Sequence, residues 1–128
     1  MRISLNSVMV SDQEKALDFY AGVLGFIKKH DIPMGEFRWL TLVSPEQPDG
    51  AELVLEPDAH PAAATFKKAM YEDGIPFTAF AVDDVVQEYQ RLVELGVKFK
   101  AEPMDVGTAV IATLDDGCGN LLQIYQEK

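Results

Sequence analysis

The stretch VSDQEKALDFYAGVLGF, Val10 to Phe26, decides how the chain is read. Ser11 and Asp12 offer an N-cap, and Ala16, Leu17, Tyr20, Val23 and Leu24 then recur at helical spacing until Gly25 stops the helix. Upstream, Arg2 to Val10 (RISLNSVMV) suits a strand. Downstream, Phe26 to His30, Phe37 to Val43 and Ala51 to Glu56 are β-prone runs, separated by Pro33-Met34-Gly35 and by Pro45 to Gly50. The order is one strand, one helix and three strands.

The same order returns later. A short helix is predicted over Ala62 to Tyr71, and Pro76 to Val82 (PFTAFAV) then reads as a strand. Asp83 and Asp84 cap VVQEYQRLVEL, which carries Val86, Tyr89, Leu92 and Val93 on one face and ends at Gly96. Strands follow in VKFKAEP, TAVIATL and NLLQIYQ. Val10 matches Val82, Asp12 matches Asp84, Leu17 matches Tyr89, and Gly25 matches Gly96 after a one-residue slip. This is an internal duplication of a βαβββ unit, with unit one at about residues 1–60 and unit two at about 75–128 of a single domain spanning residues 1–128. A four-stranded sheet with a helix on one face leaves its other face open, and two such faces can enclose a ligand.

Composition narrows the function. The chain has 128 residues, enough for one hydrophobic core. Asp and Glu number 21 against 11 Lys and Arg, a net charge of −10 that repels nucleic acid and anionic membranes. Cys118 is the single cysteine, and no basic N-terminal run leads into a long apolar stretch. A cytoplasmic protein is expected. No phosphate-binding glycine loop or Cys-x-x-Cys pair occurs.

The doubled βαβββ order, the stretch from Val10 to Phe26 and the closing DDGCGNLLQIYQ (Asp115 to Gln126) together resemble the vicinal oxygen chelate superfamily, the glyoxalase and bleomycin-resistance family. The resemblance covers nearly the whole chain. It implies an α+β fold in which the two tandem units form a curved, partly closed mixed sheet around a cavity, commonly in a homodimer. Metal-dependent members place a His or Gln on the first strand of each unit and a Glu on the last. Here those first-strand positions hold Leu5 and Phe77, seven residues before Asp12 and Asp84, and the last-strand candidates are Glu52 and Gln123. Leu and Phe have no lone pair for a cation, and a neutral Gln oxygen is a weak ligand. Neither a metal ion nor another cofactor is therefore expected.

Strand alternation groups Leu5, Ser7 and Met9 on one face and Phe77, Ala79 and Ala81 on another. Leu5, Ser7, Trp39, Glu52, Phe77 and Gln123 are the expected lining of a small-molecule site, with Trp39 able to stack on a planar ligand. Glu56 shares the parity of Glu52. His60, in the loop EPDAHP, is a weaker candidate for proton transfer. Arg38 is expected in a surface ion pair, Asp115 and Asp116 as turn residues, and Asp105 at a strand break. Cys118, between two glycines, is expected to be an accessible turn residue without catalytic neighbours. The leading expectation is a metal-independent binding protein for an apolar or aromatic compound. A lyase, isomerase or dioxygenase with Glu52, Gln123 and His60 in a shifted metal site is the second reading, and a pure dimerisation module with a self-filled cavity the third.

Overall fold

The computed structural model describes residues 1–128. Its elements run β1 (Leu5–Val10), α1 (Gln13–Leu17), β2 (Ile27–Met34), β3 (Phe37–Val43), β4 (Glu52–Pro57), α2 (Pro61–Glu72), β5 (Thr78–Ala81), α3 (Val85–Glu94), β6 (Met104–Asp105), β7 (Ala109–Asp115) and β8 (Leu121–Glu127). They form two four-stranded mixed sheets, ordered β1-β4-β3-β2 and β5-β8-β7-β6, and neither is closed. The first and last strands of each repeat pair in parallel. Backbone packing divides the chain into Met1–Thr65 and Phe66–Lys128, with the boundary inside α2.

In the first unit Asp12 caps α1, its carboxylate accepting from the Lys15 amide at 3.0 Å. The helix does not continue regularly: Asp18–Val23 is a π-helical turn, a wider coil than the spacing of apolar residues predicts. Tyr20 in this turn and Ala16 in α1 are wholly buried, as are Val8, Val10, Leu40, Leu42 and Leu55 of the sheet. Each large aliphatic side chain so buried stabilises the fold by roughly 1.5–3 kcal/mol. These strand residues share the face turned to the helix by alternation, and the opposite face buries Thr41, Val43 and Val54 while leaving Leu5 and Ser7 exposed.

Pro33, expected in a turn, lies within β2, where it is tolerated because β2 is an edge strand. The turn falls later, at Gly35 and Glu36 between the paired Met34 and Phe37. Gly35 has φ of 64°, the geometry that favours glycine at the first position of a two-residue hairpin loop.

One side chain fills a gap in this sheet. The β3 and β4 ladder contains only Thr41 with Val54 and Leu42 with Leu53. Beyond it, the Gln13 amide donates to the Arg38 and Leu55 carbonyls at 2.8 Å each, and its oxygen accepts from the Arg38 N–H at 3.0 Å. Gln13 thus supplies the hydrogen bonds that the diverging strands no longer give each other. The Arg38 side chain, on the helix side, holds Asp31 through two bonds of 2.9 and 2.7 Å and reaches Glu14 at 2.5 Å. This is the surface ion pair expected of it.

In the second unit Asp84 caps α3 through the Gln87 amide at 3.0 Å, and Val85 and Leu92 are buried with Ala112, Leu114, Leu122 and Ile124. VKFKAEP is not the continuous strand its composition predicts. Phe99 makes one bridge to Leu114 before the chain leaves the sheet, and pairing resumes only at Met104 and Asp105. Pro103, which has no N–H to donate, precedes that point.

Two outcomes test these contacts. Gln13→Ala strands partly buried backbone groups and is expected to cost about 1–3 kcal/mol in urea unfolding; an unchanged midpoint would contradict the bridging role. Arg38, and then Lys28, hold the Asp31 carboxyl well below the usual carboxylate range. The ion pair therefore adds stability above about pH 4, and this is lost as pH falls. Asp31→Asn is expected to lower the denaturation midpoint at pH 7, with the gap from the parent narrowing towards pH 2; a gap constant with pH would refute this.

Candidate functional site

The face of the first sheet turned away from α1 carries most of the sequence candidates. Leu5 stands directly beside Glu52 in the parallel ladder, and Ser7 beside Val54. Leu5 is 47% exposed, whereas the Glu52 side chain is only 18% exposed. The hydroxyl of wholly buried Thr41 donates to Glu52 Oε1 at 2.7 Å. His30 Nε2 lies 3.5 Å from the same oxygen, and Lys29 Nζ lies 3.9 Å from Oε2. Two residues along, Ser7 donates to Glu56 at 3.2 Å. Trp39, half-buried, pairs with Ile32 and shares its strand face with Thr41.

Thr41 and His30 are contributions the sequence reading missed. They are registered neighbours across β2 and β3, and a register shift between Lys28 and His30 sets that alignment. A bulge of this kind re-aims side chains without a recognisable sequence mark.

In the second unit Gln123 is flanked by Ala79 on β5 and Thr113 on β7, and is half-buried. Phe77 precedes β5, its N–H donating to the Leu121 carbonyl at 2.8 Å. Its ring meets Phe66 of α2 edge to face, with centroids 6.1 Å apart.

These ladders correct one correspondence. Ser7 and Ala79 each stand five residues before a capping aspartate, and their partners are Val54 and Gln123. The counterpart of Gln123 is thus Val54, with Glu52 displaced from it by two residues. At the corresponding positions of the two repeats stand Leu5 and Phe77 on the first strands, and Val54 and Gln123 on the last. Taken unit by unit, Leu5 with Val54 offers a divalent cation no donor atom, and Phe77 with Gln123 offers one neutral amide. No three His, Cys, Asp or Glu side chains gather closely enough to hold one.

The remaining candidates have local duties. His60 Nδ1 accepts from the Ala62 amide at 3.0 Å and so caps α2, with Pro61 in the first helical position. Asp115 accepts from the Gly117 amide at 2.7 Å, and Asp116 accepts from Cys118 and Asn120 amides at 2.7 and 3.0 Å, as turn residues do. Cys118 is wholly buried, contrary to the expected access. Lys67, 4% exposed on α2, donates to the Cys118 carbonyl at 2.8 Å and clasps this turn. Asp105 pairs with Lys128 and accepts from Gly107 at 2.8 Å.

Residues 2–124 match the sequence profile of the Glyoxalase/Bleomycin resistance protein/Dioxygenase superfamily. The chain belongs to this superfamily. It is 54% identical to the uncharacterised protein YurT of Bacillus subtilis (strain 168) over 127 residues, covering 99% of this chain and 100% of that one. It is 30% identical to a lactoylglutathione lyase of Neisseria meningitidis serogroup A, covering 100% and 92%. Among solved structures, TnmS3, an antibiotic binding protein from Streptomyces sp. CB03234, aligns with a TM-score of 0.80 at 29% identity, over 100% of this chain and 97% of that one. No helix of this superfamily member is long and apolar enough to cross a membrane.

The Thr41 contact has a measurable weight. Thr41→Val removes a buried donor to a carboxylate and is expected to cost about 1.5–3 kcal/mol in chemical unfolding. A loss that Glu52→Ala, which removes the acceptor, abolishes in the double variant would assign it to this bond; additive losses would not.

Proposed function

We propose that the chain is a cytoplasmic, homodimeric binding protein that takes up an apolar or aromatic small molecule without a metal ion. The observation that carries this reading is the replacement of cation-binding groups by Leu5, Val54 and Phe77 at corresponding positions of the two repeats. The similarity to an antibiotic binding protein supports the ligand class. Leu5, Ser7, Trp39, Glu52, Phe77 and Gln123 are the proposed lining. Affinity comes from apolar surface: burying on the order of 200 Å² gains about 5 kcal/mol before the cost of association. Glu52 and Gln123 orient the ligand.

The similarity to lactoylglutathione lyases favours a second reading, an enzyme of glyoxalase type. It requires a non-standard metal site, and the residues argue against it. His60, a proposed member of such a site, has Nδ1 committed to capping α2.

Thermal unfolding in the presence of a panel of aromatic metabolites and antibiotics tests the proposal. A ligand present at a hundred times its dissociation constant is expected to raise the midpoint by on the order of 10 °C, with or without chelator. No shift across a broad panel, or a shift that chelator abolishes, would count against it. For any ligand found, Trp39→Ala is expected to weaken binding at least tenfold while changing the denaturant midpoint little. Loss of folding would instead assign Trp39 to the core.

A further inference from the structure

We infer that Glu52 Oε2 reads a hydrogen-bond donor on the ligand, so that the favoured compounds are ring systems bearing an amine or hydroxyl rather than a carboxylate. This deepens the binding reading proposed above and rests on it. Glu52 is acceptor-only when ionised, and its two oxygens are unequally occupied. Oε1 receives the Thr41 hydroxyl at 2.7 Å and faces His30 at 3.5 Å. Oε2 has only Lys29 Nζ nearby, at 3.9 Å, beyond hydrogen-bond reach. With the side chain 18% exposed and no donor within hydrogen-bond distance, Oε2 is the Glu52 acceptor left open to a further donor.

Its surroundings specify what can supply that donor. Leu5 lies beside Glu52 in the ladder, and Val54, two residues on, shares its strand face. Trp39 lies two residues from Thr41 on the same face. A flat apolar body placed here would desolvate Glu52 and strengthen a bond to its free oxygen. Around Glu52, Glu56 is negative, Lys29 is an exposed cation whose distant pairing is weak, and His30, which adds positive charge only when protonated, faces Oε1 rather than Oε2. A ligand carboxylate against Oε2 would suffer repulsion from Glu52 itself that the exposed, distant lysine does not offset. An ammonium or hydroxyl gains a charge-assisted bond.

Three indoles of similar size provide the probes: tryptamine, tryptophol and indole-3-acetate, titrated into the 15N-labelled full chain at pH 7 and followed by amide shifts. Tryptamine or tryptophol is expected to bind at least tenfold more tightly than indole-3-acetate, perturbing the Leu5, Thr41 and Glu52 amides. The ratio between the first two tells an ion pair from a neutral hydrogen bond. In Glu52→Gln, checked for an unchanged spectrum elsewhere, the preference over indole-3-acetate is expected to vanish. Equal or reversed preference on the parent needs no variant and overturns the inference, as does a preference that survives Glu52→Gln. Binding of none of the three also overturns it. The aromatic panel then separates the two failures: a panel compound that binds keeps the binding function while removing the role of Glu52, and an empty panel removes both.

Discussion

Two parallel rungs, Ser7 beside Val54 and Ala79 beside Gln123, fix what each sheet offers on the face turned away from its helix. Side chains alternate along a strand, so moving either pairing by one residue would exchange the face turned to the helix with the face turned away. The helix side tolerates no such slip, because Val8, Val10, Leu40, Leu42 and Leu55 would all leave the buried face they now occupy. Burial on one side therefore dictates composition on the other. Leu5, Phe77 and Val54 thus stand at the positions for which the resemblance to metal-dependent relatives implies a His or Gln on the first strands and a Glu on the last.

The first sheet is also shaped by a polar wedge. Gln13 satisfies backbone groups of both β3 and β4 where their ladder has ended, which lets the strands separate without orphaned donors. The second sheet has no such opening: β7 and β8 stay paired from Ala109 with Glu127 to Asp115 with Leu121. Duplicated units have thus diverged. One keeps a continuous ladder around Gln123, and the other carries the Thr41, Glu52 and His30 cluster on a sheet that splays beyond it.

The sequence made the repeat legible because caps and glycines are local signals. Asp12 and Asp84 each accept from an amide three residues on, and the helical spacing between cap and glycine needs no tertiary information. What it did not reveal depends on neighbours distant in the chain. AELVLE offers two glutamates of equal parity, and only the ladder shows that neither corresponds to Gln123. His30 joins Glu52 because a bulge shifts β2, and Cys118 is buried although glycines flank it, since α2 and its Lys67 lie over the turn. The strand predicted in VKFKAEP failed because its pairing is interrupted after Phe99.

On the proposed reading, in which the ligand is held by apolar contact and a carboxylate acceptor, the chain needs no resident cation. The most direct measurement is elemental analysis of the full chain, equilibrated in turn with excess Zn2+, Ni2+ and Mn2+ and then freed of loose ions by gel filtration. The account predicts far less than one ion per chain for each. One tightly held equivalent of any of them would contradict it.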